Sequence, residues 1–191
     1  MGNLHKDQII DQLYQSGIVL RKGPDYPDGF ILKSGKKSDI YINLRDLIKT
    51  PTSFNIIMYT FFDMMSDYDK TDACILGVPT MGAVISPVMA YKLGLPQAVV
   101  RMHKKLHGVG NEIEGKLTNR IAMIDDVITT GSSIKEIIQD YIEPEFDQDY
   151  QLDIFVVVDR EQHDLENVHS LAKLSEIKKW KPSGENTKSG G

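Results

Sequence analysis

Between residues 6 and 20 the apolar positions are Ile9, Ile10, Leu13, Tyr14 and Ile18, the three-and-four spacing of one helix face, and Gly17 stands where such a helix stops. The spacing predicts an N-terminal helix. Residues 23–29 are dense in turn formers, after which Phe30-Ile31-Leu32 and Ile40-Tyr41-Ile42 read as two short strands of one hairpin joined through 33–39. Residues 52–65 are apolar at helical spacing behind Thr50-Pro51-Thr52, a favourable helix start. Beyond Ala73 the pattern changes. Strand-like stretches at 73–76, 97–101, 120–124 and 153–158, each with a continuous apolar run, alternate with helical stretches at 83–93 and 132–141.

Strands that are apolar on every residue bury both faces, and their alternation with helices predicts the α/β class, a central parallel sheet flanked by helices. Ligands of such sheets bind beyond the carboxyl ends of the strands, so the loops that start at Gly77, Met102, Asp125 and Asp159 should converge on one edge. Residues 1–180 read as a single domain, with 1–49 as a small N-terminal segment and 50–180 as the core. The stretch 181–191, Lys-Pro-Ser-Gly-Glu-Asn-Thr-Lys-Ser-Gly-Gly, has no apolar periodicity and reads as a disordered tail.

Composition refines this picture in three ways. With 41% hydrophobic and 26% charged residues over 191 positions, the chain can bury a full core. The single cysteine, Cys74, sits in an apolar run and can build neither a disulfide framework nor a cysteine metal site, which fits a cytoplasmic protein. There is no signal-peptide apolar region at the N-terminus, and no stretch approaches the ~20 apolar residues that span a bilayer, so neither export nor a membrane is expected.

The net charge of −5 argues against a general nucleic-acid surface. Its distribution is uneven, however. Arg21, Lys22, Lys33, Lys36, Lys37, Arg45 and Lys49 crowd one stretch, and Arg101, His103, Lys104, Lys105 and His107 crowd another. Two basic patches on an acidic chain point to a small, highly anionic ligand.

The chemistry concentrates in 121–133, Ile-Ala-Met-Ile-Asp-Asp-Val-Ile-Thr-Thr-Gly-Ser-Ser. An apolar strand ends at two carboxylates, Asp125 and Asp126, and Thr129, Thr130, Gly131, Ser132 and Ser133 then open a helix. Small hydroxyl residues and a glycine at a helix start turn backbone N–H groups toward a phosphate, assisted by the helix dipole. Vicinal carboxylates just upstream can accept hydrogen bonds from the hydroxyls of a ribose whose phosphate is anchored there.

This run resembles the phosphoribosyl-pyrophosphate motif of the type I phosphoribosyltransferases. Three further segments resemble the orotate phosphoribosyltransferases in particular, over roughly residues 17–160. Phe30-Ile31-Leu32-Lys33-Ser34-Gly35 followed by Tyr41-Ile42-Asn43 is similar to the segment whose lysine approaches the substrates and whose strand borders the base. The stretch 100–108, with Ile113-Glu114-Gly115 beyond it, is similar to the flexible catalytic loop that family members lend across a dimer interface. Val158-Asp159-Arg160 matches the position where an arginine meets the orotate carboxylate, and a planar guanidinium suits a carboxylate bidentately.

The resemblance implies a type I phosphoribosyltransferase fold in which 1–49 forms a small hood, and a homodimer that shares its loop. It also implies transfer of a 5-phosphoribosyl group from phosphoribosyl pyrophosphate to orotate with Mg2+, giving orotidine 5′-monophosphate and pyrophosphate in UMP biosynthesis. The implied catalytic residues are Arg101, Lys105, His107, Asp125 and Asp126. The implied substrate-binding residues are Lys33, Tyr41, Ile42, Lys104, Asp125, Asp126, Thr129 to Ser133 and Arg160. No protein side chain is implied to ligate the metal directly; substrate oxygens and water would hold it.

Two positions depart from the family pattern. Met81 stands in the pyrophosphate loop, and Met102 directly after the loop arginine, where many members carry lysine. Two alternatives stay open: a phosphoribosyltransferase for another base, and a non-catalytic regulator that senses phosphoribosyl pyrophosphate. A dinucleotide-binding Rossmann domain is excluded, because no Gly-x-Gly-x-x-Gly follows the first parallel strand.

Overall fold

The computed structural model describes residues 6–31, 35, 37–101, 113–147 and 149–181. The first element among the described residues is helix α1 (Lys6–Gln15), which buries Ile10 and Leu13 and ends before Gly17, the expected stop, where φ is 75°. Four short strands follow: β1 (Val19–Arg21), β2 (Phe30–Ile31), β3 (Lys37–Ser38) and β4 (Ile40–Ile42). A 3-10 turn over Leu44–Ile48 leads to helix α2 (Pro51–Met64). Thr50 caps α2 by accepting from the Ser53 N–H at 3.1 Å, and Pro51 occupies its first turn.

The core alternates strands and helices: β5 (Ala73–Gly77), α3 (Gly82–Leu93), β6 (Gln97–Val100), β7 (Ile113–Gly115), β8 (Arg120–Ile128), α4 (Ser132–Ile137), β9 (Gln151–Asp159), β10 (Val168–Lys173) and α5 (Leu174–Lys179). Strands β5 to β10 form one six-stranded sheet in the order β10-β9-β8-β5-β6-β7. All neighbours are parallel except β7, which pairs antiparallel with β6 at the edge.

Side chains alternate across this sheet with period two. Ile75, Ala122, Ile124, Phe155 and Val157 join a core covered by α1, α2, α3 and α5. Cys74, Leu76, Ile121, Met123, Ile154 and Val156 join a second core, covered by Ile134 and Ile137 of α4 and by Ile142 beyond it. Both faces are therefore buried, which is why these strands carry no polar alternation.

Three expectations from the pattern are corrected. Ile40–Ile42 does not form a hairpin with Phe30; it pairs with Val19–Arg21, while Phe30 and Ile31 pair with Ser38 and Lys37. The break falls at Asp39: the Ser38 hydroxyl takes the Ile40 N–H at 3.2 Å, turning the chain, and the Asp39 carbonyl accepts from the Lys22 N–H at 2.8 Å. Strand β8 runs on past Ile124 to Ile128 because β9 goes on offering partners, with Asp125 opposite Val156, Val127 opposite Val158 and Ile128 opposite Asp159. Sheet pairing thus overrides the poor strand propensity of two aspartates. The helix at 132–141 is regular only to Ile137, continues as a π-turn over Ile138–Ile142, and closes in a 3-10 turn carrying Pro144, which has no N–H to extend it. Strands β7 and β10 and helix α5 carry no signal strong enough for the pattern to predict them, being short or edge elements.

Candidate active site

The parallel strands deliver their following loops to one edge, and there a cavity of about 360 Å3 opens between the loop after β5 and the loop after β8. It is lined by Pro79, Thr80 and Met81 on one side, by the run from Asp125 to Ile134 on the other, and by Arg45.

Two close backbone approaches build this cavity. Gly82 starts α3 directly against β8, so near that a Cβ on it would lie 2.0 Å from the Ile124 carbonyl oxygen. That oxygen already accepts from the Val78 N–H at 2.9 Å. Gly131 precedes α4 with φ of 73°, the left-handed conformation that glycine adopts at no steric cost, and Leu165 packs over it. No side chain caps α4. The N–H groups of its first turn are thus left for the cavity that Thr129 to Ile134 line, and the Thr130 hydroxyl donates to that of Ser132 at 3.2 Å.

Asp125 is buried, and its Oδ1 accepts from the Asp126 N–H at 2.8 Å; Asp126 Oδ1 accepts in turn from the Val127 N–H at 2.9 Å. Burial, and then the neighbouring Asp126 charge, push the Asp125 carboxyl up to about 8. Such a group holds its proton at neutral pH until hydrogen-bond donors arrive to stabilise the anion. Sugar hydroxyls are donors of that kind.

Of the residues singled out from the sequence, Asp125, Asp126, Thr129, Thr130, Gly131, Ser132 and Ser133 are brought together in this one cavity. Arg160 stands just past β9, one strand away from it; its N–H donates to the Ile128 carbonyl at 2.9 Å, and its Nε is buried without a hydrogen-bond partner. Arg101 follows β6 and pairs with Glu114 of β7. Tyr41 is exposed and stacks on Phe30 at 5.6 Å, and Ile42 packs on the main core; neither lines the cavity. Lys33, Lys104, Lys105 and His107 lie outside the described residues, as do Met102 and the tail beyond Lys181.

Arg45 was not singled out as a site residue, although its place in the first basic run was a signal for it. Pro79 and Thr80 were not named individually, although their loop, starting at Gly77, was expected at this edge and at the pyrophosphate end. The peptide bond between these two is cis.

No protein-family model matches the chain. Among curated proteins, the orotate phosphoribosyltransferase of Methanopyrus kandleri is 36% identical over 161 residues, which cover 83% of this chain and 80% of that protein. That of Pyrococcus horikoshii is 32% identical over 166 residues, covering 85% and 84%. The crystal structure of orotate phosphoribosyltransferase from Aeropyrum pernix superposes with a TM-score of 0.69 at 28% identity, over 88% of this chain and 95% of that one. Identity of 32–36% over more than four fifths of the chain and of these relatives' own lengths shows that the chain belongs to the orotate phosphoribosyltransferase family.

Proposed function

We propose that this cavity binds phosphoribosyl pyrophosphate and that the chain transfers its 5-phosphoribosyl group to orotate, releasing orotidine 5′-monophosphate and pyrophosphate for UMP biosynthesis. The observation that carries the reading is the convergence of two adjacent carboxylates, the buried Asp125 and the half-buried Asp126, with an uncapped helix start in one cavity at the carboxyl edge of the sheet. Thr129 to Ser133 hold the 5′-phosphate through N–H groups and hydroxyls. Asp125 and Asp126 accept from the ribose hydroxyls and fix the sugar beneath the acceptor. Arg160 takes the orotate carboxylate in its fork, and Lys33, Tyr41 and Ile42 border the base.

The reaction forms a bond from orotate N1 to the anomeric carbon as the bond to pyrophosphate breaks, with inversion at that carbon. Negative charge grows on the departing pyrophosphate, so stabilising it electrostatically is the main catalytic task. Arg101, Lys104, Lys105 and His107 supply cations there, Lys105 or His107 also giving a proton to the leaving group.

Mg2+ fits this site through the chemistry of its donors. Asp125 and Asp126 are hard oxygen ligands, and among the described residues no cluster of three or more His, Cys, Asp or Glu forms a protein cage. Such a pair serves an ion bound mainly through substrate oxygens and water, with the carboxylates acting on it through the ribose. The ion would supply Lewis-acid charge neutralisation at the pyrophosphate.

The same reading makes the protein a homodimer that shares its catalytic loop. Its support is an apolar exposed face on α2, α3 and the preceding turn, where Ile48, Tyr59, Val84 and Tyr91 stand in solvent. It also makes the protein cytoplasmic, where the buried thiol of Cys74 stays reduced. Among the described residues, no helix is long and apolar enough to cross a membrane.

Adding phosphoribosyl pyrophosphate and Mg2+ to the protein with orotate should lower the orotate absorbance. Tight binding of phosphoribosyl pyrophosphate without that change would instead establish the sensing regulator, the alternative that Met81 in the cavity wall favours. Turnover of another base in place of orotate would establish the remaining one.

A further inference from the structure

We infer that Arg45 is the cation that grips the pyrophosphate end of the ligand, replacing from the N-terminal segment the charge that the Gly77–Gly82 loop lacks. The inference rests on the reading of the cavity as a phosphoribosyl-pyrophosphate site, and it adds a residue and a mode of charge compensation to it.

The cavity lining is electrostatically lopsided. Among its described residues it carries two carboxylates, Asp125 and Asp126, and one cationic side chain, Arg45. The wall from Thr129 to Ser133 can hold one phosphate by N–H groups and hydroxyls, and the carboxylates suit the sugar. What remains is the end bounded by Pro79, Thr80 and Met81, none of which carries charge, and a diphosphate placed there beside two aspartates needs a cation. Arg45 is the group the fold provides.

Its presentation is built in. The 3-10 turn Leu44–Ile48 is pinned by Leu44 and Leu47, both buried, which leaves Arg45 displayed on the outer side of the turn. The nearest carboxylate in sequence, Asp46, is taken by Lys49 at 2.7 Å. Among the described residues no ion pair or hydrogen bond engages the Arg45 side chain. A guanidinium presents a planar pair of N–H groups that matches two phosphate oxygens.

The test uses the full chain and calorimetry with three probes in the presence of Mg2+: pyrophosphate, phosphoribosyl pyrophosphate and ribose 5-phosphate. Arg45→Gln should weaken pyrophosphate and phosphoribosyl pyrophosphate by about tenfold or more and leave ribose 5-phosphate within about twofold. Because Arg45 is exposed, the melting temperature should not move. Adding Met81→Lys to the Arg45→Gln protein should restore most of the lost pyrophosphate affinity, since it returns a cation to the lining of the same cavity. Unchanged pyrophosphate binding in Arg45→Gln, or an equal loss for ribose 5-phosphate, would overturn the inference. If wild-type protein binds pyrophosphate in an Arg45-dependent way but consumes no orotate, the acceptor reading fails and Arg45 keeps its role. If wild-type protein binds neither pyrophosphate nor phosphoribosyl pyrophosphate, both fall.

Discussion

Gly82 and the Ile124 carbonyl are in backbone contact: a Cβ at position 82 would stand 2.0 Å from that oxygen and 3.2 Å from the Asp125 Cα. The start of α3 and the carboxylate end of β8 are thus locked together, and the cavity is the gap they leave. Gly82→Ala must push the two apart, and neither side is a flexible side chain that can yield. We expect a loss of about 3 kcal/mol of stability, read as a lower urea midpoint, together with weakened phosphoribosyl-pyrophosphate binding. Gly23→Ala is the control, since nothing lies within 4 Å of a Cβ there. Equal midpoints for the two variants would refute the contact.

Asp125 sets a pH dependence with a definite sign. Its folded value, about 8, lies above the ~4 of an aspartate in the unfolded chain, so folding favours the protonated carboxyl. The associated stability is fully present below about pH 4 and is lost as pH rises from there through about 8. Asp125→Asn stays neutral throughout. Unliganded Asp125→Asn should therefore gain on wild type by a few kcal/mol between pH 5 and 9, while losing most turnover because it cannot become a full hydrogen-bond acceptor for ribose. Parallel stability profiles for the two proteins over that range would remove the burial argument.

Much of this was legible in the chain itself, for physical reasons. Residues such as Ile75, Ala122 and Val156 sit in strands buried on both faces, so their apolar runs report the sheet directly. Asp125 to Ser133 are consecutive, so their cavity wall could be read as a unit. The wall opposite was legible only in part: the loop from Gly77 was expected at this edge, but Arg45 joins the cavity lining only through folding, and its neighbours in sequence carry no motif for that. The pairing of Tyr41 with Leu20 was hidden for the same reason: Phe30 is nearer in sequence, and only the turn at Asp39 decides between the partners.

Lys105 belongs to the segment between Arg101 and Ile113, and the proposed function gives it the task of stabilising pyrophosphate as it departs. A group that acts on the leaving group contributes to the transition state more than to the binding of the acceptor. Lys105→Ala should lower kcat by about a hundredfold or more and leave orotate affinity within about twofold. If the loop is lent across a dimer, mixing Lys105→Ala with Asp126→Asn should recover activity, because one hybrid site then has both residues. Full turnover by Lys105→Ala alone would refute its role, and no recovery on mixing would refute the shared loop.

The proposed function gives Arg160 a role in which a fork matters more than a charge. Its backbone is tied to β8 through the Ile128 carbonyl, and the Oδ1 of the preceding Asp159 meets the Glu161 N–H at 2.6 Å and His163 Nε2 at 3.1 Å. The guanidinium keeps a buried Nε with no partner, an arrangement that costs free energy unless a ligand supplies an acceptor. Orotate, with a planar carboxylate, is such a ligand. Arg160→Lys preserves the charge but replaces two parallel donors by a point charge, so KM for orotate should rise about tenfold or more while KM for phosphoribosyl pyrophosphate stays within about twofold. Uracil lacks the carboxylate and should be insensitive to the substitution in any residual activity. A matching rise in both Michaelis constants would show that Arg160 supports the loop between β9 and β10 rather than the base.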